Sequence, residues 1–324
     1  MTIPSRYCLV TVTTSDYLHR AMALVARCRE LDDTASCRVY VIGLADADIT
    51  KLNERNRYHQ VSYHNLPEDR LKFSLADLAS RYTAMEMCCL AKPIAVLDAL
   101  SEVEVVVYSD TDVYLCSSLQ AAVTELDSGR LLLTPHITQP LPTDRAFPEE
   151  FTYLTSGLYN AGLFVASQAA EEIMDWWLRH IEEQCYLDYS RALNADQKWL
   201  DLSPLIFTDV VSSKNPGLNA GYWTLTHHPF TEGKVGDYNL IAFHFSGLDA
   251  DNLASLSKHQ DREEAPEGLI EMARDYLARQ DSFLAENLPV NLSFQTSRTR
   301  RFMRWLSTEL WRIQDGILRR WPRA

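Results

Sequence analysis

The sequence has 324 residues, of which 46% are hydrophobic and 23% are charged, and its formal net charge at pH 7 is −13. This composition supports a sizeable core and excludes an intrinsically disordered or disulfide-stapled chain. The negative charge also argues against nucleic acid as a partner, because the phosphate backbone would be repelled. We therefore expect one large or two modest globular domains.

The first hundred residues alternate between predicted strands and predicted helices. β-Branched and apolar runs predict strands, whereas apolar residues three or four positions apart predict helices. The predicted strands are 7–13, 38–43 and 60–63, and the predicted helices are 17–30, 46–57 and 80–100. The last helix is expected to be interrupted at Lys92-Pro93, because proline fits best at a helix start. Strands that alternate with helices predict an α/β fold with a parallel sheet.

The most informative segment is the valine-rich run 103–107, which predicts a central strand covered on both faces. Asp110 and Asp112 follow it directly. In open α/β sheets, ligands bind at the carboxyl ends of strands, and residues i and i+2 of extended backbone point the same way. Two carboxylates placed in this way could hold Mg²⁺ or Mn²⁺. The alternative is an ordinary solvated turn.

Five ordered segments resemble the retaining glycosyltransferases of family 8, which have the GT-A fold. The segments are AKP at 91–93, VVVYSDTDV at 105–113, YNAGLFV at 159–165, ADQ at 195–197 and FHFSG at 243–247. The resemblance covers residues 7 to about 248 and implies a Rossmann-like, mainly parallel sheet flanked by helices.

The resemblance also implies a role for individual residues. The implied ligands of a Mn²⁺ or Mg²⁺ ion are Asp110, Asp112 and His244. The implied contacts to the nucleotide-sugar donor are Lys92, Asp110 and Asn160. The implied catalytic residues, beside the anomeric carbon, are Asp196 and Gln197. Structural alternatives for these residues are a core histidine at 244, a helix cap at 196 and a turn residue at 160.

Two segments depart from the family pattern. Family members carry an acidic, uridine-contacting segment after the first strand, whereas residues 13–17 offer mostly hydroxyls, and Thr13 and Ser15 are the donor contacts expected there. The Lys-Pro-Trp that follows the histidine block in the family is replaced by residues 248–251. Residues 215–223, NPGLNAGYW, resemble a segment of bacterial polysaccharide-cluster transferases and are expected to shape the acceptor side.

The C-terminal segment has a different character. Apolar residues recur at helical spacing beside arginines, and a basic amphipathic helix is typical of contact with an anionic membrane surface. The apolar residues are Phe302, Leu306, Leu310, Ile313, Ile317 and Trp321, and the arginines are Arg300, Arg301, Arg304, Arg312, Arg319 and Arg320. The alternative is a helix packed on the acidic body or in a dimer. We expect membrane contact through residues 298–323.

Together these observations predict an enzyme with a catalytic domain at 1–250 and a helical extension at 251–324. The predicted reaction is metal-dependent, retaining transfer of a sugar from a nucleotide-diphosphate donor, with a UDP-sugar favoured, to a saccharide or lipid-linked acceptor of bacterial surface polysaccharide. Because no secretory signal or long apolar run is evident, we expect a cytoplasmic protein, peripheral at the inner face of the plasma membrane. The alternatives are a haloacid-dehalogenase-like phosphatase and a non-catalytic sugar-binding protein.

Overall fold

A computed structural model describes residues 6–56, 60–142, 148–260 and 264–294, together with 302–303, 305–307, 309–310 and 313–314. The strands with defined bounds are β1 (Cys8–Thr14), β2 (Ser36–Ile42), β3 (Val61–Asn65), β4 (Val105–Ser109), β5 (Val113–Leu115), β6 (Leu131–Pro135), β7 (Tyr159–Ser167), β8 (Leu187–Asp188), β9 (Leu193–Asn194), β10 (Val210–Ser212), β11 (Ala220–Gly221), β12 (Phe230–Thr231), β13 (Lys234–Val235), β14 (Tyr238–Asn239) and β15 (Ala242–His244). The α-helices are α1 (Leu18–Leu31), α2 (Asp46–Arg55), α3 (Leu75–Arg81), α4 (Ala84–Leu100), α5 (Gln120–Leu126), α6 (Glu150–Ser156), α7 (Glu171–Gln184), α8 (Ser203–Ile206) and α9 (Glu267–Asp281).

Seven strands form the central sheet, in the order β3-β2-β1-β4-β7-β6-β10. β7 runs antiparallel to both of its neighbours, and the other four pairings are parallel. The predicted α/β fold with a mainly parallel sheet is therefore confirmed. The chain leaves β1 toward β2 on one side, whereas β4 lies on the other side. A crevice for a ligand is expected at such a switch point, outside the carboxyl ends of the two strands.

Helices cover both faces of the sheet because alternate side chains of its strands point to opposite sides. On β4, Val106 and Tyr108 belong to the apolar cluster that includes α4 and α7. Val105 and Val107 belong to the opposite cluster, which includes α1 and α5. The valine run that predicted a doubly covered strand is therefore buried on both faces.

The predicted break at Lys92-Pro93 is wrong, since α4 continues from Ala84 to Leu100 with Pro93 inside it. A capping box between Thr83 and Glu86 starts the helix, and the predicted start at 80 falls in the separate helix α3. Proline removes one backbone N–H from a helix and costs about 3 kcal/mol. The helix persists because most of its residues are buried between β1 and α7, and this packing outweighs the local cost.

A second, three-stranded sheet, in the order β11-β15-β5, adjoins the carboxyl end of β4. β5 follows β4 after a turn of three residues, and β15 pairs antiparallel with it, so that His244 lies opposite Val113. α9 packs on this sheet through Leu269, Ala273 and Tyr276. The domain boundary at 250 stays a prediction.

The C-terminal segment is helical where it is described, at 302–303, 305–307, 309–310 and 313–314. Phe302, Trp305, Leu310 and Ile313 are exposed there. The remaining residues of the predicted amphipathic helix lie outside the described part of the chain, namely Arg300, Arg301, Arg304, Arg312, Ile317, Arg319, Arg320 and Trp321. Contact with a membrane surface stays a prediction. No helix among the described residues is both long and apolar enough to cross a membrane.

Candidate active site

The candidate site lies at the carboxyl end of β4, beside the switch point of the sheet. Asp110 and Asp112 lie in the turn from β4 to β5, and His244 ends the strand that pairs with β5. The backbone N–H of Phe245 donates to the carbonyl oxygen of Asp112 at 2.8 Å. This pairing holds the histidine against the second aspartate although the two residues are 132 positions apart.

The three predicted metal ligands converge. Nε2 of His244 lies 2.9 Å from Oδ1 of Asp112. One ligand atom from each of Asp110, Asp112 and His244 lies within 4.8 Å of the other two, and no other such group of three is found among the described residues. The imidazole is buried, whereas the two carboxylates are 27% and 30% exposed. Two carboxylate oxygens and one imidazole nitrogen, open on one side, fit a divalent cation such as Mn²⁺ or Mg²⁺.

The charges of this pair depend on each other. Burial lowers the pKa of His244, but the neighbouring Asp112 carboxylate outweighs burial and the pKa is raised. Burial raises the pKa of Asp112, but His244 outweighs it and brings the pKa to about 2. The aspartate is therefore ionised at neutral pH, as a cation ligand must be.

Lys92 lies in the middle of α4 and is buried, with 4% of its side chain exposed. Its ammonium group is 3.0 Å from Oδ2 of Asp110, 3.1 Å from Oδ2 of Asp196 and 3.1 Å from the carbonyl oxygen of Ala161. The other carboxylate oxygen of Asp110 accepts a hydrogen bond from the Tyr108 hydroxyl at 2.8 Å. Lys92 thus contacts the candidate site through Asp110, and its predicted contact with the donor stays a prediction.

Asp196 and Gln197 lie behind this lysine. Asp196 is buried, and burial raises the pKa of its carboxyl group although Lys92 opposes the shift. Trp177 donates from Nε1 to the backbone carbonyl of Asp196 at 2.9 Å, which fixes the segment. The side chain of Gln197 accepts from the N–H of Ala161 at 3.2 Å and donates to the carbonyl of Ser156 at 2.9 Å.

Asn160 lies at the start of β7, next to an irregularity in that strand. Leu133 of β6 pairs with Phe164, but the next residue, Thr134, pairs with Asn160. Residues 161–163 therefore bulge out of the ladder, and such bulges re-aim side chains beside functional sites. Asn160 is 7% exposed, and its amide points into the protein toward His244.

Thr13 and Ser15 lie at the carboxyl end of β1, across the switch point from Asp110. Both residues are buried. The hydroxyl of Thr13 donates to the carbonyl of Thr14 at 3.1 Å, and that of Ser15 donates to the carbonyl of Pro289 at 3.1 Å. The segment around Pro289 therefore covers this edge of the sheet, and nucleotide contact by the two hydroxyls stays a prediction.

The fold brings to this site two further residues that were not predicted individually from the sequence. Asn219 of the NPGLNAGYW segment is buried and donates to Asn160 Oδ1 at 2.9 Å, so it lies behind the predicted metal ligands as well as in the segment expected to face the acceptor. Gly162 packs against the His244 ring, and a Cβ there would come within 2.3 Å of Cε1 of that ring. The available signal was a glycine two positions after Asn160, but the His244 ring that it packs against is distant in sequence.

The mainly parallel sheet, the Asp-x-Asp pair at the end of a central strand and the histidine brought to that pair agree with the fold and the residue group that the resemblance implied. No protein-family profile matches the sequence. Among curated proteins, the chain is 25% identical over 256 residues to YfnF of Bacillus subtilis (strain 168), described as an uncharacterized protein; the match covers 75% of this chain and 81% of YfnF.

Two glycosyltransferases are among the solved structures that are similar to this chain. The glycosyltransferase GlyE of Streptococcus pneumoniae TIGR4 has a TM-score of 0.49 and 11% identity, over 89% of this chain and 66% of GlyE. The galactosyltransferase LgtC, in complex with donor and acceptor sugar analogs, has a TM-score of 0.44 and 15% identity, over 83% of this chain and 95% of LgtC. Membership of family 8 stays a prediction.

Proposed function

We propose that this protein is a metal-dependent glycosyltransferase that moves a sugar from a nucleotide-diphosphate donor, a UDP-sugar being favoured, to a saccharide or lipid-linked acceptor. The observation that carries the proposal is the convergence of Asp110, Asp112 and His244 at the carboxyl end of β4. A cation bound there would neutralise the developing charge of a diphosphate leaving group. Mn²⁺ or Mg²⁺ is the proposed ion.

The residues around the proposed cation site would position its ligands and the donor. Lys92 holds the Asp110 carboxylate from behind and compensates the buried charge of Asp196. Gln197 ties the bulge of β7 to the end of α6 through its two backbone hydrogen bonds. We propose that Asp196 and Gln197 form the wall behind the anomeric carbon in a retaining transfer, and that Lys92, Thr13 and Ser15 support the donor.

The biological setting is also a proposal. The NPGLNAGYW segment, similar to one in bacterial polysaccharide-cluster transferases, supports a role in surface polysaccharide synthesis. A lipid-linked acceptor would suit a cytoplasmic protein that contacts the inner face of the plasma membrane through residues 298–323, because arginine-rich amphipathic helices bind anionic lipid.

The decisive experiment is release of free nucleotide from UDP-, GDP-, dTDP- and CMP-sugars, with Mn²⁺ and with a chelator. It is run for the wild type, Asp112→Asn and the matched control Asp249→Asn, which changes an exposed acid outside the site. Nucleotide-diphosphate release from one donor that is lost with chelator and in Asp112→Asn, but kept in the control, supports the proposal. Calorimetry with Mn²⁺ and each nucleotide covers the case in which turnover requires the acceptor.

Two results would favour one of the alternative functions over glycosyl transfer. Release of inorganic phosphate from a phosphomonoester such as p-nitrophenyl phosphate, with no nucleotide released from any sugar donor, would favour the phosphatase alternative, in which Asp110 is a nucleophile. Sugar binding without Mn²⁺ dependence and without nucleotide binding would favour the non-catalytic alternative.

A further inference from the structure

The two ring nitrogens of His244 face different partners. Nε2 faces Oδ1 of Asp112 at 2.9 Å, on the side of the proposed cation. Nδ1 lies 3.2 Å from Oδ1 of Asn160, inside the protein. A nitrogen that binds a metal must offer a lone pair, and the hydrogen bond made by the other nitrogen decides which one does so. The identity of the atom that Asn160 presents is therefore critical.

Two donors identify the Asn160 atom as the oxygen. The backbone N–H of Gly162 points at it from 2.9 Å, and a backbone N–H can only donate. Nδ2 of Asn219 lies at 2.9 Å from the same atom. The other end of the Asn160 amide, Nδ2, lies 3.3 Å from Nε2 of His136. Because burial lowers the pKa of His136 to about 4, that ring is neutral and can accept.

The orientation of Asn219 is fixed in turn by Thr134. The Thr134 hydroxyl lies 2.8 Å from the carbonyl oxygen of Leu163 and 3.3 Å from that of Asn160, so its single proton must go to a backbone carbonyl. Its oxygen is then free to accept, and Nδ2 of Asn219 lies 2.9 Å from it. With acceptors at Thr134 and Asn160, the amide nitrogen of Asn219 supplies one proton to each. The backbone N–H of Gly162 and the backbone carbonyl that accepts from Thr134 thus set the direction of the hydrogen bonds that run from Thr134 through Asn219 and Asn160 to His244.

We propose that Asn160 and Asn219 are positioning residues that hold the proton of His244 on Nδ1 and so leave Nε2 for the cation. This inference rests on the proposed cation site. It assigns Asn160 a role other than the donor contact implied by the resemblance, because Asn160 is buried and both ends of its amide are engaged. Without the Asn160 oxygen, the ring proton would move to Nε2 and form a hydrogen bond to Asp112. A cation could then bind Nε2 only by displacing that proton.

The test compares variants that keep or remove the acceptor facing Nδ1. Asn160→Asp keeps an oxygen there, whereas Asn160→Leu removes it at similar volume. Asn219→Leu leaves Asn160 in place and removes the side-chain donor that orients it. This variant replaces Asn160→Leu in the test if Asn160→Leu does not fold. Asn53→Leu is the control, because the Asn53 amide binds both backbone groups of Tyr63 far from the site. The readouts are Mn²⁺ affinity by electron paramagnetic resonance and protonation of the His244 ring nitrogens by ¹⁵N NMR at pH 8, without ion and with Mg²⁺.

We expect Nδ1 of His244 to stay protonated in the wild type and in Asn160→Asp, with and without Mg²⁺. In Asn160→Leu the proton should lie on Nε2 and Mn²⁺ affinity should fall about 10- to 100-fold, with a smaller loss of the same kind in Asn219→Leu. An unprotonated Nδ1 in the wild type, or wild-type affinity in Asn160→Leu, would overturn the inference. Failure of the wild type to bind Mn²⁺ would refute the cation site, whereas the ring protonation would still decide the role of Asn160.

Discussion

The ammonium group of Lys92 lies 3.1 Å from the carboxylate of Asp196, and both side chains are only 4% exposed. Lys92 also pairs with Asp110 at 3.0 Å, so one buried ammonium group compensates the charges of two carboxylates at the candidate site. Removing one partner of a buried ion pair leaves an uncompensated charge, which is far more costly than losing an exposed pair.

Lys92→Met should therefore lower the free energy of unfolding by about 3 to 5 kcal/mol, measured by urea denaturation at pH 7.5. The control is Lys72→Met, because Lys72 pairs with Glu183 on the surface, where both side chains are more than half exposed. Loss of that exposed pair should leave the free energy of unfolding close to the wild-type value, because solvent screens exposed charges. Equal losses in the two variants would show that the buried lysine does not compensate Asp110 and Asp196.

Gly162→Ala should displace the His244 ring, because the added Cβ would lie 2.3 Å from Cε1 and 2.7 Å from Nδ1 of that ring. We expect a loss of about 1 to 3 kcal/mol in stability from overpacking. Calorimetry should also show Mn²⁺ affinity reduced about tenfold or more, since the ring is a proposed ligand. In the control Gly268→Ala, the new Cβ meets only the Phe230 ring, at 3.0 Å, and Mn²⁺ affinity should be unchanged. Wild-type affinity in Gly162→Ala would argue against His244 as a ligand.

Gln197→Glu should keep the acceptor for the N–H of Ala161 but replace the donor to Ser156 with a carboxylate oxygen. The carbonyl of Ser156 keeps its hydrogen bond from Asn194 but then also faces a half-buried carboxylate oxygen, which should cost about 1 kcal/mol of stability in thermal or urea unfolding. Gln139→Glu is a matched control, because Gln139 donates to the carbonyl of His227 from an exposed position. A control variant that loses as much stability as Gln197→Glu would contradict this account.

His136 should make the stability of the protein depend on pH. Its ring is buried between Tyr153 and Trp223, and burial lowers its pKa from 6.5 to about 4. The unfolded state therefore takes up the proton first, so the stability is fully present above pH 6.5 and is lost as the pH falls toward 4. Between pH 7 and pH 5 this group alone should cost about 2 kcal/mol.

His136→Phe should keep the ring contacts and remove the titration. Because the variant leaves the Asn160 amide without its acceptor, it should be less stable than the wild type at pH 7. Its further loss between pH 7 and pH 5, measured by urea unfolding, should nevertheless be about 2 kcal/mol smaller than that of the wild type. Parallel losses in the two proteins would show that the His136 ring is not held neutral by burial.

The sequence by itself determined the fold class and two of the three residues of the proposed cation site. Alternating strands and helices, with a valine run at 103–107, predict a mainly parallel sheet because the spacing of apolar residues follows local backbone geometry. Asp110 and Asp112 are two positions apart in the turn between β4 and β5, so their closeness is also a local property. The family resemblance added His244, Asn160, Asp196 and Gln197, but spacing along the chain could not have brought them to the aspartates.

Only the tertiary structure decided what these residues contact. The pairing of β15 with β5 brings His244 to Asp112, and the bulge in β7 turns the amide of Asn160 inward. Packing around α4 kept Pro93 inside a continuous helix and buried Lys92 between two carboxylates, whereas the local propensity of proline predicted a break. Asn219 and Gly162 are ordinary polar and turn residues in the sequence. Their roles depend on contacts between segments far apart in the chain, which local patterns do not encode.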